Sequence, residues 1–239
     1  MASKIPLLYL TLMFASASAY SQTTTQSSYW VRYQNQLYFS PNLYWNTEVD
    51  NRRFVSPDAQ LQLIIHSRLH RKLGAFDLAG GITFSWAYAQ RPENSIKHPT
   101  FEIRPVLEGS YESVGKRFSL QHRLRLDNRF IEEDRFEGLR QDYQYTARLR
   151  YRIQAKIPII KKEKTGSVSA RLANEVMVNH RENFYDQNRI HATLDVAVSR
   201  SLTLEGGYIF INQRRFGREE YFHRHVLRLS ISHRIHVYQ

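Results

Sequence analysis

The chain contains no cysteine. That excludes disulfides, thiolate metal sites, thiol catalysis and a lipid anchor on an N-terminal cysteine. Past the first nineteen residues no apolar run approaches the roughly 20 residues that a membrane-spanning helix needs. No separate hydrophobic helix is present to cover a sheet, and no glycine-rich phosphate loop follows a strand. Mean hydropathy is −0.53, a value that argues for solubility only where polar and apolar residues are not interleaved. In a barrel strand half the side chains are polar, and an average is blind to that.

What is present is alternation. Between Arg117 and Ala155, Phe118, Leu120, Leu124, Leu126 and Phe130 share one parity, with Gln121, Arg123, Arg125, Asp127 and Arg129 on the other. After a charged gap at 131–142, Tyr143, Tyr145, Ala147, Leu149, Tyr151 and Ile153 oppose Gln144, Thr146, Arg148, Arg150, Arg152 and Gln154. A side-chain period of two means extended strands. The same pattern recurs along the chain, and nearly every segment has one face bearing arginine or glutamate. A closed barrel with lipid outside and polar side chains inside satisfies both faces at once. The fold class expected is therefore all-β, an antiparallel transmembrane β-barrel of 10 or 12 strands. Eleven segments alternate, but bacterial single-chain barrels have an even number. Either the segment from Tyr29 to Phe39 lies outside the wall or one strand is hidden, and the parity of the termini favours the first. A soluble β-sandwich is the architectural alternative.

Met1 to Ala19 reads as a cleaved secretory signal peptide: Lys4, an apolar stretch from Ile5 to Ala15, then Ala17-Ser18-Ala19. Residues 20–28 read as a polar leader and 29–239 as a single barrel domain. Pro105 predicts a bulge or local edge, because proline lacks a ladder donor. The segment from Ile157 to Gly166 reads as a longer connection. Gly80-Gly81 reads as a place where a neighbouring side chain packs closely.

Lysine and arginine total 34 against 22 aspartate and glutamate, a net charge of +12. Much of that excess falls on the inner parity: Glu48, Arg68, Glu102, Arg104, Glu108, Arg123, Arg125, Asp127, Arg129, Arg148, Arg150, Arg152, Arg171, Glu175, Arg189 and Glu205. Two readings stay open. Arginine forks paired with carboxylates can fill a narrow barrel as a hydrogen-bonded lattice. An excess of arginine can equally form an anion-selective constriction. Glu175 and Arg189 are expected to pair across the hairpin that holds residues 180–185. Basic stretches at Arg52-Arg53 and Arg214 to Arg218 are candidates for contact with lipopolysaccharide. His223 and His225 share a strand face but have no matched third ligand, so no metal is expected. A hydrolase in the membrane would need His122 beside Ser119 or Ser169, and nothing fixes such a pairing. The chain is read as a non-enzyme without catalytic residues or cofactor.

The segments NQLYFSPNLYWNTEVDNRRF, FEIRPVLEG and HRLRLDNRF, and above all NEVMVN followed by FYDQNRI, resemble the outer-membrane barrel family catalogued as domain of unknown function 2490. The resemblance spans nearly the whole chain after the signal peptide. Its most specific part is Asn174-Glu175 with Asn179, then Asp186-Gln187-Asn188-Arg189. It implies a barrel in a Gram-negative outer membrane, of the Bacteroidota, and no known activity. One departure is the end of the chain at Tyr238-Gln239, where outer-membrane barrels often close on an aromatic residue. The partners expected are outer-membrane lipid, lipopolysaccharide and the barrel-assembly machinery, for a monomer that does not bind nucleic acid.

Overall fold

The computed structural model describes residues 22–94, 98–133, 142–162, 165–181, 184–214 and 220–238. Among them there is no helix. Eleven strands run β1 Gln22–Ser40, β2 Leu43–Phe54, β3 Gln60–Leu73, β4 Phe76–Ala87, β5 Thr100–Val114, β6 Ser119–Glu132, β7 Tyr143–Ile160, β8 Val168–Asn179, β9 Tyr185–Ala197, β10 Leu202–Arg214 and β11 Glu220–His236. Each pairs antiparallel with the next, and β1 closes the barrel by pairing parallel with β11, from Gln22↔Glu220 to Tyr38↔His236.

The strand number corrects the expectation of 10 or 12. The even-number rule holds where both termini lie on one rim and the closing pair is antiparallel. Here the closing pair is parallel, so Gln22 and His236 lie on opposite rims. The Tyr29 segment is a full wall strand, hydrogen-bonded to β2 on one side and β11 on the other. β1 already begins at Gln22, so strand pairing covers most of the stretch that reads as a polar leader. The barrel also replaces the sandwich alternative, since one continuous sheet closes on itself.

The ends of β1, β3, β5, β7 and β9 share one rim, with His236 and mostly shorter sequence gaps to the next strand. The ends of β2, β4, β6, β8 and β10 share the other, with Gln22 and mostly longer gaps. Gly74 turns the β3–β4 hairpin at φ 62°, a left-handed conformation that glycine adopts without steric cost. Ile157 to Ile160 continues β7 rather than looping, with a register shift between Pro158 and Ile160. Pro105 makes no bulge. The β5–β6 register is the same on both sides of it, and the ladder lacks pairs only at Arg104 and Pro105, where the imide nitrogen has nothing to donate.

The two faces of the wall differ as the alternation requires. Outside, Leu107 is 62% exposed, Leu227 65% and Leu172 54%, with Leu78, Leu124, Leu149, Ile190 and Leu194 beside them. Aromatic rings pair on this face near both rims: Phe84–Phe101, Trp86–Phe101 and Phe130–Tyr145 near the long-loop rim, Phe76–Tyr111 near the other. Tyrosine and tryptophan tips on the outside are satisfied side by side: Trp45 donates to Ser67, and Tyr151 and Tyr208 share hydrogen bonds with His122 and His225. Inside, Asp50 and Asp127 are fully buried and Glu175 is 1% exposed. A small apolar patch of Trp30, Ile209, Ile211 and Val226 lines the closing seam.

Candidate functional site

Arginines in the lumen are held in two ways. Along β5 to β8, Glu102, Asp127 and Glu175 each hold several guanidinium groups. Glu102 accepts from Arg104 at 2.6 Å through both oxygens and from Arg129 Nε at 2.5 Å. Asp127 accepts from Arg125 Nε at 2.6 Å and Arg148 Nη2 at 3.0 Å, with Arg150 at 3.5 Å. Glu175 accepts from Arg123 at 2.5 Å and Arg150 at 2.9 Å. Local geometry produces these clusters. Residues two apart, such as 102 and 104 or 125 and 127, share a strand face. Asp127 and Arg148, and Glu175 and Arg152, stand directly opposite in register. Forked, charge-assisted bonds of this kind are the strong ones, and they satisfy charges that would be costly to bury alone.

Some arginines reach across a whole strand, as Arg123 does over β7 to Glu175. Arg68 on β3 binds Glu48 on β2 and also reaches Glu108 on β5 at 3.1 Å. The intervening β4 presents Gly81 opposite Arg68. A Cβ there would run into the Ser67 carbonyl and stand 2.9 Å from Arg68 Cγ. Gly81 is thus the gap through which the Arg68 stem passes.

On β9 and β11, Arg189 and Arg224 are held by neutral amides instead, while Arg32 on β1 pairs with Asp50 at 3.0 Å and Arg228 on β11 with Glu205 at 2.5 Å. Arg224 donates to Gln26 at 2.7 Å, Gln213 at 2.6 Å and Gln90 at 2.8 Å. Arg189 Nε donates to Gln187 at 2.9 Å, with Glu175 no nearer than 3.9 Å. On β7, Arg152 reaches only Gln121 among the described residues, at 3.4 Å. An amide oxygen satisfies an N–H without cancelling its charge, so Arg189 and Arg224 keep their positive field. Trp30 stands among these groups, with Arg52 stacked 3.8 Å over its ring and Arg189 at 5.5 Å. Such stacking holds a cation without neutralising it.

Between the walls lies a cavity of about 650 Å³, lined by sixteen arginine or lysine side chains and six carboxylates. That volume falls in the range of small-molecule sites. The connection after β4 bends over its mouth. The Gln90 backbone oxygen accepts from Gln26, and Arg91 pairs with Glu220 on the far side of the closing seam.

Of the thirteen inner-face positions expected to matter most, eleven line this cavity: Glu102, Arg104, Arg123, Arg125, Arg129, Arg148, Arg150, Arg152, Arg171, Glu175 and Arg189. Glu108 and Asp127 are not among the lining residues and are ion-paired to ones that are. Arg171 sits apart from the main clusters, with Asp195 and Glu205. Other candidates fall elsewhere. His122 is on the outer face, hydrogen-bonded to Tyr151 at 2.7 Å, while Ser119 has the opposite parity and Ser169 lines the cavity. His223 and His225 pack on Phe210 outside. Arg52 points inward to Asp50 and is not free to meet lipopolysaccharide. Arg53 forms a forked pair with Asp58, at 2.8 and 2.9 Å, and its hydrogen bonds hold that exposed carboxyl below the usual range. Of the stretch from Arg214 to Arg218, residues 215–218 lie outside the described residues.

Trp30, His191, Arg224, Arg228, Gln26, Gln90 and Gln213 were not singled out in the sequence. Parity alone would have put Trp30 and Arg224 inside. The partnership of Arg224 with Gln90, from a loop more than a hundred residues away, leaves no local signal.

The family described as "Protein of unknown function (DUF2490)" matches residues 27–223 of the chain. No curated protein and no solved structure matches it.

Proposed function

The chain belongs to the DUF2490 family of unknown function, and from that premise we propose that it is an outer-membrane barrel whose cation-rich lumen binds or passes small anionic solutes. The observation that carries the reading is the cavity of about 650 Å³ with sixteen cationic side chains against six carboxylates. In a confined, low-dielectric space such an excess attracts anions and repels cations. The membrane reading is supported by the outer face. A soluble monomer rarely exposes a large contiguous apolar patch, whereas here apolar residues ring the barrel between aromatic rims. The strands, from 12 residues upward, exceed the roughly 9–11 that a tilted transmembrane strand requires. With the longer connections outward, the carboxy terminus faces the periplasm. Lipid and lipopolysaccharide then cover the outer band of a monomer inserted by the barrel-assembly machinery. The reading involves no catalytic step and no cofactor.

A second reading is a plugged structural barrel. It is favoured by the ion pairs of Arg68 to Glu48 and Glu108 and by the connection at Gln90 and Arg91 latched over the mouth. Single-channel recording on the refolded mature chain in a planar bilayer separates the two, with heat-modifiable gel mobility as the check on folding. Steady unit conductance with a reversal potential on the anion side is expected. A folded barrel that is silent and takes up no anion sinks the first reading and leaves the second.

A further inference from the structure

We propose that the lumen holds one seat for a tetrahedral oxyanion of the phosphate or phosphate-monoester class, built from Arg152, Arg189 and His191. The proposal deepens the anion reading above and rests on it.

The seat follows from register. Arg152 on β7, Glu175 on β8 and Arg189 on β9 stand opposite one another in one row. The next row toward the short-turn rim is Gln154, Ala173 and His191. Ala173 carries only a methyl group, so the wall is hollow between Gln154 and His191. All six side chains line the cavity. Glu175, which would otherwise repel an anion here, is already engaged by Arg123 and Arg150.

Three groups facing this hollow lack what they need. Arg152 makes no ion pair among the described residues, and its Nε is buried without a partner. Arg189 has one amide bond and a carboxylate at 3.9 Å. His191 is 7% exposed, and its Nε2 is buried without a partner. His191 also lies within electrostatic reach of Arg152, Arg189 and Arg228. Buried donors and charges left this way are costly, and a ligand supplying acceptors and negative charge removes the cost.

The arrangement selects the class of ligand. A carboxylate is planar and is satisfied by one guanidinium fork. Here the donors come from two strands at two levels, so they match three oxygens that do not lie in a plane. A phosphate group offers three such oxygens and close to two negative charges, enough to offset Arg152 and Arg189 together. The fourth oxygen is free to carry an organic group into the remaining cavity.

The test is calorimetric titration of inorganic phosphate into the refolded mature chain in detergent at low salt. Wild type is compared with Arg152→Gln, and with Arg53→Gln, whose side chain lies outside the lumen against Asp58. Expected are one saturable site in wild type, at least tenfold weaker binding in Arg152→Gln, and unchanged binding in Arg53→Gln. Phosphate should also raise the unfolding temperature of wild type and not of Arg152→Gln. Equal affinity in wild type and Arg152→Gln, or no saturable binding to folded wild type, overturns the seat. Should Arg152→Gln not fold, Arg152→Lys decides: it keeps the charge and loses the fork, and undiminished phosphate affinity would overturn the seat. Acetate binding as tightly as phosphate would overturn the tetrahedral class. Methyl phosphate binding more tightly than inorganic phosphate assigns an ester, and the reverse assigns the free ion. Because binding is measured at equilibrium, the two proposals fail separately. An anion-selective barrel without a phosphate site loses the seat alone, and a silent barrel with an Arg152-dependent site loses passage alone.

Discussion

Two sets of arginines in the lumen carry the same charge and meet different acceptors. In the first, Glu102 and Asp127 each gather two or three guanidinium groups, so that one negative charge ties several positive ones together. In the second, Arg189 and Arg224 are held by Gln26, Gln90, Gln187 and Gln213. The first set is built to hold strands together and the second to present positive charge. A count of arginines would not separate the two roles; the identity of their acceptors does.

The largest effect should come from breaking the first set. Asp127→Asn strands Arg125, Arg148 and Arg150 around a buried neutral group, and loss of a buried ionic partner costs about 3–5 kcal/mol. Urea unfolding in lipid or detergent should register it. Next is Gly81→Val, which blocks the passage of Arg68 toward Glu108. Overpacking of this kind costs about 1–3 kcal/mol, and the folded fraction on a heat-modifiable gel should fall accordingly. Gln187→Glu turns a member of the second set into one of the first by placing a carboxylate against Arg189. The unfolding midpoint should hold or rise, while the reversal potential moves away from anion preference; an unchanged potential would mean that Arg189 does not set the field. The smallest effect belongs to the exposed pair of Arg53 and Asp58. Arg53→Gln should leave the unfolding midpoint where it is, because exposed pairs contribute little. Its pH dependence has a definite sign. A depressed carboxyl contributes above its unfolded pKa, near 3.9, and the contribution is lost as pH falls through the lower folded value. Any difference between Arg53→Gln and wild type should therefore vanish in acid.

Much of this was legible beforehand. The thirteen inner-face positions follow from alternation, because Cβ direction in a strand depends only on the residue's place in the pleat. Glu175 and Arg189 do face each other across the β8–β9 ladder, but at 3.9 Å. The closer partners of Glu175 come from β6 and β7, and the hairpin gave no hint of that competition. Arg52 illustrates the other kind of miss. Its charge and its neighbour Arg53 suggested a surface, while its parity, shared with Glu48 and Asp50, had already placed it inside.

The sequence by itself determined which residues face in and which face out, and hence that the chain makes a wall with a polar side and an apolar side. That property is local, since it needs only the two-residue period of an extended backbone. The tertiary structure alone decided that eleven strands close with a parallel seam, that Gln90 lies against Arg224, and that Arg152 pairs with no carboxylate among the described residues. Those facts depend on how far the sheet curls before its ends meet and on the register at which they join. Closure is a sum over every strand, and no single strand carries it.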